Sequence, residues 1–193
     1  MSRIFYLMGK SASGKDTIYK KVKERMPELK TIVIYTTRPI REGEKNGREY
    51  YFVDDKKIKE FQEAGKVIEL REYNTVHGIW KYFTVDDGQF DGDDNYLAIG
   101  TLESYVQLRA YFGQERLVPL YVEVEDGLRL ERALARERMQ ATPKYEEMCR
   151  RFLADAADFS VENLNSAGIT RKFVNINMEK CVDEIVLGIR QLL

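Results

Sequence analysis

The chain has 193 residues, of which 44% are hydrophobic and 33% are charged. A chain of this length buries about 70% of its unfolded surface, which is enough for one domain with a sizeable core. Its 31 Lys and Arg residues balance 32 Asp and Glu residues, giving a formal net charge of −1. This balance argues against a protein that binds nucleic acid or a membrane surface through bulk charge.

Two cysteines and one histidine restrict disulfide and metal chemistry. Cys149 and Cys181 lie on predicted helices without metal-ligand spacing, so we interpret both as reduced packing residues. His77 alone argues against a histidine-based metal site, and we interpret it as structural. The first ten residues, MSRIFYLMGK, contain too short an apolar run for a signal peptide, and no stretch reaches membrane-spanning length. We therefore expect a cytoplasmic enzyme.

Short β-like runs alternate with helical periods along the chain. In order, the predicted elements are strand 4–8, helix 15–26, strand 31–36, helix 54–65, strands 67–73 and 81–85 joined by a turn at 77–78, strand 95–100, helix 102–111, strand 117–125, helix 127–138, a long helix 145–159, strand 172–177 and a terminal helix 182–192. Asp54 is expected to cap the helix that follows it. The alternation predicts an α/β fold with a parallel sheet covered by helices on both faces.

The stretch LMGKSASGKDT, residues 7–17, nearly matches a phosphate-binding loop. Gly9, Gly14 and Lys15 follow the Gly-x-x-x-x-Gly-Lys pattern, directly after the first buried strand and at the start of the first helix. Glycines let backbone N–H groups curl around phosphate oxygens, and the helix N-terminus adds a positive dipole. We predict an ATP-binding loop formed by Gly9, Ser11, Ala12, Ser13, Gly14, Lys15, Asp16 and Thr17.

Asp16 occupies the position where the pattern has Ser or Thr, the hydroxyl that normally binds Mg²⁺. Two interpretations remain open. Asp16 binds the magnesium ion directly or through water, because hard oxygen ligands suit this ion; or Thr17 takes the polar role and Asp16 faces away. Asp16 and Thr17 are the candidate metal ligands.

The segment TTRPIREGEKNGREYYFV, residues 36–53, resembles the signature of the guanylate kinase family. The resemblance extends with varying quality over nearly the whole chain. It implies a P-loop NTPase-type parallel sheet, a strand-rich monophosphate-binding insertion at about 37–90, and a lid at about 137–145. The core would consist of residues 1–36 and 91–193, all within one domain.

The same resemblance implies an acceptor site for GMP. Two arginines suit a dianionic phosphate, because a guanidinium binds phosphate oxygens bidentately. A carboxylate suits the hydrogen-bond donors of guanine. The residues expected to bind GMP are Arg38, Arg41, Tyr50, Glu69 and Tyr82; the alignment of Tyr82 follows an apparent insertion at 75–80.

Catalytic residues are also implied. Lys15 would lie against the β- and γ-phosphates, and lid arginines would neutralise the transferring phosphoryl group. These arginines are Arg132, Arg136 and Arg151, whereas Arg129 is interpreted as a solvated partner of Glu125. Asn175, in the final strand, is a candidate beside the ATP adenine.

The chain departs from the family at the base-recognition end. Ala98 and Gly100 stand where the family usually has aspartates, and Ile34 stands where a hydroxyl normally faces guanine O6, with Tyr35 adjacent. This depletion favours, as an alternative, a ribose 1,5-bisphosphate phosphokinase, whose loop resembles Gly14-Lys15-Asp16-Thr17. A non-catalytic guanylate kinase-like binding module is a further alternative.

The sequence therefore predicts a kinase that transfers a phosphoryl group from ATP to GMP or dGMP, with Mg²⁺. The expected partners are small-molecule nucleotides, with neither nucleic acid nor membrane, and the expected state is a monomer or homodimer.

Overall fold

A computed structural model describes residues 2–75 and 78–193 of the chain. The strands within these residues are β1 Ile4–Met8, β2 Lys30–Thr31, β3 Tyr35–Thr36, β4 Tyr51–Phe52, β5 Val67–Thr75, β6 Gly78–Val85, β7 Tyr96–Gly100, β8 Leu117–Glu123 and β9 Lys172–Val174. The helices are α1 Lys15–Arg25, α2 Asp55–Glu63, α3 Leu102–Phe112, α4 Asp126–Arg138, α5 Tyr145–Asp158, α6 Val161–Ser166 and α7 Met178–Arg190.

The core sheet contains five parallel strands in the order β2-β7-β1-β8-β9. β1 is central and fully buried because every one of its residues is apolar or aromatic. Successive side chains point to opposite faces of a strand, so Ile4, Tyr6 and Met8 join one apolar cluster and Phe5 and Leu7 join the other. The first cluster lies under α3 and α6, and the second lies under α1 and α7. The predicted parallel α/β core with helices on both faces is confirmed.

A second sheet contains four strands in the order β4-β3-β6-β5. β5 and β6 form an antiparallel hairpin, and β3 pairs antiparallel with β6 and parallel with β4. Tyr35, Phe83 and Val85 pack beneath α2 through Ile58 in a small core of their own. β3 belongs to this sheet although it precedes position 37, where the sequence places the start of the insertion.

The predicted strand 31–36 is wrong as a single element. It is two short strands, β2 in the core sheet and β3 in the second sheet, separated by residues 32–34. The β-branched run gives strong strand propensity throughout, but the chain crosses here from one sheet to the other. The short helix α6 was not predicted; Ser160 caps it through the Asn163 N–H.

Two further expectations concern helix faces. Asp54 caps α2 as predicted, since its side chain accepts a hydrogen bond from the Lys57 N–H. The long helix 145–159 is present as α5, but none of its residues is fully buried and Leu153 is 69% exposed, so this helix lies on the surface.

Both cysteines are free thiols. Cys181 is buried as a packing residue, but the same prediction for Cys149 is wrong because that thiol is exposed. His77, which is the first residue of the predicted turn 77–78, lies outside the described residues. None of the described helices combines the length and apolar character required to cross a membrane.

Candidate active site

The glycine-rich loop connects the carboxyl end of β1 to α1. β1 lies between β7 and β8, so the loop lies at the carboxyl end of the central strand. Parallel α/β folds bind ligands outside the carboxyl ends of such strands. A Cβ on Gly9 would lie 2.5 Å from the Val122 carbonyl oxygen, so only glycine fits against β8. Gly14 adopts φ +85°, a left-handed conformation that strains other residues. The two pattern glycines are therefore required by the backbone path.

Asn175, which follows the edge strand β9, holds this loop through a side-chain hydrogen bond. Its side-chain amide donates to the Ser13 carbonyl oxygen at 2.8 Å, and the residue is fully buried. Its Nδ2 would lie 2.6 Å from a Cβ on Gly14. The Oδ1 atom of Asn175 and the hydroxyl of Ser13 are buried without a hydrogen-bond partner in the described structure. These contacts place Asn175 behind the loop, as a residue that holds its shape.

Lys15 begins α1, and Asp16 and Thr17 follow in its first turn. The Lys15 ammonium lies 3.8 Å from the Asp16 carboxylate. The Asp16 side chain is 78% exposed, and Thr17 is exposed as well. The first N–H groups of a helix have no partner within the helix, so this end offers donors to an anion, with the Lys15 ammonium beside them.

The sequence did not lead us to predict two residues that support the loop. Arg129 is only 1% exposed, and its guanidinium contacts Asp126 at 3.0 Å and Asp155 at 3.2 Å. Asp155 also accepts a hydrogen bond from the Ser11 N–H at 2.8 Å. The predicted solvated pair of Arg129 with Glu125 is wrong, because Glu125 caps α4 instead. A signal existed for Asp155, which lies on the apolar face of α5 between Phe152 and Phe159.

The three predicted lid arginines occupy different environments. Arg132 on α4 donates to the Asn175 carbonyl oxygen at 3.1 Å, which ties it to the residue that supports the phosphate loop. Arg136 lies one turn later and is exposed. Arg151 on α5 donates to Glu147 at 2.7 Å, and Arg150 pairs with the same carboxylate. Arg150 and Arg151 both lower the pKa of Glu147, Arg150 more strongly, to about 2.

The acceptor motif is organised by Arg38. This residue is 3% exposed, and its guanidinium makes a bidentate pair with Glu44 at 2.8 and 3.0 Å. It lies over the rings of Tyr50 and Phe52, at 5.3 and 5.4 Å. Glu44 also accepts from the Arg41 N–H, whereas the Arg41 side chain is exposed.

Hydrogen bonds between two threonine hydroxyls and the Lys81 backbone hold the start of this motif against β6. The Thr36 hydroxyl donates to the Lys81 carbonyl oxygen, and the Thr37 hydroxyl accepts from the Lys81 N–H at 2.9 Å. Tyr82 follows, and its ring lies 5.7 Å from Tyr50. The structure therefore brings Arg38, Tyr50 and Tyr82 together, with Arg41 at the rim.

Glu69 lies deeper, on β5. Its carboxylate accepts two hydrogen bonds from Arg71, at 2.9 and 3.2 Å, and one from the Thr84 hydroxyl at 2.8 Å. Burial acts to lower the pKa of Arg71, but Glu69 and the phenols of Tyr6 and Tyr73 together outweigh it and raise that pKa. Arg71 was not predicted as a site residue, although residues two apart on a strand share one face.

The positions that lack the family aspartates lie next to Tyr6. A Cβ on Gly100 would lie 2.0 Å from the Tyr6 hydroxyl, which donates to the Thr101 carbonyl oxygen at 3.3 Å. Tyr6 therefore fills the space beside Gly100. Tyr35, the neighbour of Ile34, points into the small core and donates to Asp87.

The residues at the loop suit a nucleotide with its magnesium ion. Gly9 and Gly14 form a cradle that a Cβ would fill, and Lys15 supplies a cation. Asp16 and Thr17 offer the hard oxygen ligands that Mg²⁺ prefers. No group of three or more His, Cys, Asp or Glu side chains suited to a metal occurs among residues 2–75 and 78–193. A magnesium ion here would therefore depend largely on phosphate oxygens.

The sequence is similar to those of known proteins. A sequence profile described as guanylate kinase matches residues 1–81. The guanylate kinase of Leifsonia xyli subsp. xyli is 32% identical over 183 residues, covering 89% of this chain and 69% of that protein. Those of Rhodopseudomonas palustris and Nocardia farcinica are 46% and 43% identical over 66 and 76 residues, which cover 34% and 39% of this chain but only 30% and 38% of those proteins.

A solved structure matches almost the whole fold. The crystal structure of guanylate kinase from Anaplasma phagocytophilum aligns with a TM-score of 0.64 at 24% identity, covering 98% of this chain and 85% of that chain. This structural likeness supports the fold. The family is established by the Leifsonia xyli relative, whose match covers 89% of this chain and 69% of that protein. The chain belongs to the guanylate kinase family.

Proposed function

We propose that the chain is a nucleoside monophosphate kinase that transfers the γ-phosphoryl group of ATP to GMP or dGMP, giving ADP and GDP or dGDP. The observation that carries this proposal is the buried Arg38 guanidinium, which pairs with Glu44 and lies over the Tyr50 ring. The same chain also forms the glycine-lined phosphate loop. A guanidinium kept in one orientation binds a phosphate dianion with little further loss of conformational freedom.

On this proposal, ATP lies with its phosphates in the cradle of residues 9–17. The loop N–H groups and Lys15 bind the phosphate oxygens, and Asn175 holds the loop in shape. Mg²⁺ neutralises phosphate charge when bound, and Asp16 or Thr17 would hold it, directly or through water.

The acceptor phosphate is assigned to Arg38, Arg41, Tyr50 and Tyr82, with Glu69 at the end that binds the base. Catalysis would consist of in-line alignment and charge neutralisation. Arg132 is already tied to Asn175, which supports the loop, whereas Arg136 and Arg151 reach the reacting phosphates only if the lid at about 137–145 closes. Closure would release Arg151 from Glu147 and exclude water.

A second candidate is a ribose 1,5-bisphosphate phosphokinase. It is favoured by Gly100 and Ile34, which provide neither a carboxylate nor a hydroxyl for a base. It shares the ATP site and differs only in the acceptor.

The test is an ATP-consumption assay with GMP, dGMP, AMP, CMP, UMP and ribose 1,5-bisphosphate, each with Mg²⁺ and with EDTA. We expect turnover of GMP and dGMP that EDTA abolishes. Turnover of ribose 1,5-bisphosphate alone would select the second candidate. Binding of GMP without ATP consumption by any acceptor would select a non-catalytic binding module.

We further propose that the chain acts on nucleotides rather than nucleic acid, in the cytoplasm, as a monomer or homodimer. The balanced charge and the bacterial relatives support this proposal.

A further inference from the structure

The Glu69 carboxylate is engaged within the protein. Its three hydrogen bonds, two from Arg71 and one from Thr84, use three of about four lone-pair sites on a carboxylate. Its side chain is 0% exposed, whereas that of Arg71 is 8% exposed. Reading the N1 and N2 donors of guanine requires at least two acceptor sites on an accessible carboxylate. Glu69 does not offer both.

Arg71 lies between the acceptor motif and the core sheet. On β5 it stands opposite Tyr82 of β6, whose ring contacts Tyr50. Burial raises the pKa of Tyr50 and that of Tyr6, and the Arg71 charge acts to lower both, so this guanidinium lies near one ring of the acceptor motif and one ring of the core sheet. Arg71 is thus a neighbour of two residues assigned to the acceptor phosphate, Tyr82 and Tyr50, and it is buried on the strand beside them.

The group that this end presents is a guanidinium. Positions 98 and 100 carry Ala and Gly, so neither supplies a competing carboxylate. Guanidinium N–H groups donate, and they bind the O6 and N7 acceptors of a 6-oxopurine bidentately. Adenine presents an amino group in place of O6, which would meet donors with donors. The N2 amino group of guanine would gain little, because Glu69 is already engaged.

We propose that Arg71 is the specificity-determining residue of the acceptor site, and that it selects 6-oxopurine nucleoside monophosphates, GMP and IMP alike, over AMP. This inference rests on the proposed kinase function and names the feature of the acceptor that is recognised. A second phosphate, as in ribose 1,5-bisphosphate, would satisfy the same guanidinium, and the experiment distinguishes that source.

The first experiment measures kcat/KM for GMP, IMP, AMP and ribose 1,5-bisphosphate, and binding of GMP and IMP by titration calorimetry without ATP. We expect IMP to lie within about fivefold of GMP, a difference near 1 kcal/mol, and AMP to be at least tenfold poorer than both. A GMP preference over IMP of about a hundredfold, near 2.7 kcal/mol, would overturn the inference, since N2 would then be read by a well-placed acceptor. Turnover of ribose 1,5-bisphosphate without either purine would overturn it as well.

Failure of the proposed function has a different signature. If none of the acceptors is phosphorylated, the kinase assignment is contradicted, and the calorimetric affinities then decide the inference alone. With AMP titrated in the same way, similar affinities for GMP and IMP that both exceed the affinity for AMP support it; binding of GMP only, of neither nucleotide, or of all three alike overturns it.

The second experiment replaces the pair. Arg71→Met alone leaves a buried carboxylate without its partner, which is strongly destabilising. The double variant Arg71→Met with Glu69→Gln avoids this unpaired charge. We expect its GMP:AMP and IMP:AMP ratios of kcat/KM to fall at least tenfold, and Arg71→Lys to keep part of the preference. An unchanged ratio in a folded double variant would reduce Arg71 to a structural role.

Arg109→Met is the matched control. Arg109 is a partly buried arginine on α3 that donates to the carbonyl oxygens of Ala167 and Ser166, away from the acceptor motif. Its loss should lower stability without changing either ratio. Melting temperatures of all variants separate loss of fold from loss of recognition. A drop of the ratios in Arg109→Met equal to that in the double variant would count against the proposal.

Discussion

The phosphate loop and the acceptor motif are built in different ways. The loop depends on backbone geometry, with Gly9 pressed against the Val122 carbonyl and Gly14 against the buried Asn175. The acceptor motif depends on charged side chains that pair with one another before any ligand arrives, as Arg38 does with Glu44. A backbone cradle accepts few substitutions, whereas paired side chains can be exchanged for other pairs. This difference would allow the phosphate loop to be kept while the base end, as the sequence predicts, departs from the family pattern.

The largest effect is expected at Lys15, the one loop residue whose side chain is assigned to the reacting phosphates. Lys15→Ala should lower turnover by about 10²–10³-fold, the loss typical of one electrostatic contact to a transition state. Steady-state kinetics with saturating ATP and GMP would measure it. Lys20→Ala is the control, because Lys20 lies exposed on the same helix. Near wild-type turnover of Lys15→Ala would contradict the kinase assignment.

Substitutions at two glycines with nearly equal φ separate the cost of backbone strain from the cost of steric overlap. Gly14 and Gly43 have φ of +85° and +83°, but only a Cβ on Gly14 meets another atom, Asn175 Nδ2 at 2.6 Å. Gly43→Ala should cost about 1–2 kcal/mol from the left-handed backbone alone. Gly14→Ala should add a further 1–3 kcal/mol of overpacking and weaken ATP binding. Urea unfolding and ATP titration measure both; equal costs would show that Asn175 does not constrain the loop.

Arg38 tests whether the acceptor motif acts separately from the loop. Arg38→Met should raise KM for the acceptor by about 10–100-fold, the value of a charged hydrogen bond, and leave KM for ATP nearly unchanged. Arg48→Met is the control, since Arg48 lies exposed in the same segment and contacts Glu49 and the Gly43 carbonyl oxygen. Equal increases in both KM values would mean that the two regions do not bind their ligands independently.

The smallest effect concerns pH. Hydrogen bonds from the Arg38 side chain, and then from the Arg41 N–H, hold the pKa of Glu44 below its ordinary value. Since the folded state favours the carboxylate, its stabilising contribution is complete above the pKa of the unfolded chain, near 4.3, and fades as pH falls through the lower folded value.

Wild type should therefore exceed Glu44→Gln in stability at neutral pH, and the gap should narrow below about pH 4. Thermal unfolding at a series of pH values measures the gap. Glu42→Gln, at an exposed neighbour in the same loop, is the control for removing one carboxylate from this segment. A stability difference between wild type and Glu44→Gln that does not depend on pH would show that the ionised pair of Glu44 with Arg38 does not stabilise the fold.

Much of the loop could be predicted because its determinants are local. A five-residue apolar run, two glycines and a lysine at fixed spacing identify β1, the turn and α1, and the structure forms all three. The acceptor motif was recognisable for the same reason: Arg38 and Glu44 are six residues apart, and they contact each other.

Contacts between distant segments could not be predicted. Asp155 reaches the Ser11 N–H across 144 residues, and Asn175 reaches Ser13 across 162, so both depend on how the sheet orders its strands. The strand predicted at 31–36 failed because propensity does not reveal where a chain leaves one sheet for another. The pair of Glu69 with Arg71 lies between these cases, since strand periodicity predicts a shared face but not burial.

Tyr6 and Gly100 impose an order on sequence change in this chain. The Tyr6 hydroxyl occupies the volume of any side chain at position 100, and its ring carbon Cζ lies 3.0 Å from the same Cβ position. A Gly100→Asp substitution is therefore opposed chiefly by the Tyr6 hydroxyl, and Tyr6→Phe would leave only the tight approach to the ring, which a shift of a few tenths of an ångström relieves. An aspartate at position 100 is therefore expected to accompany or to follow the loss of the hydroxyl at position 6, which couples these two distant positions in the sequence.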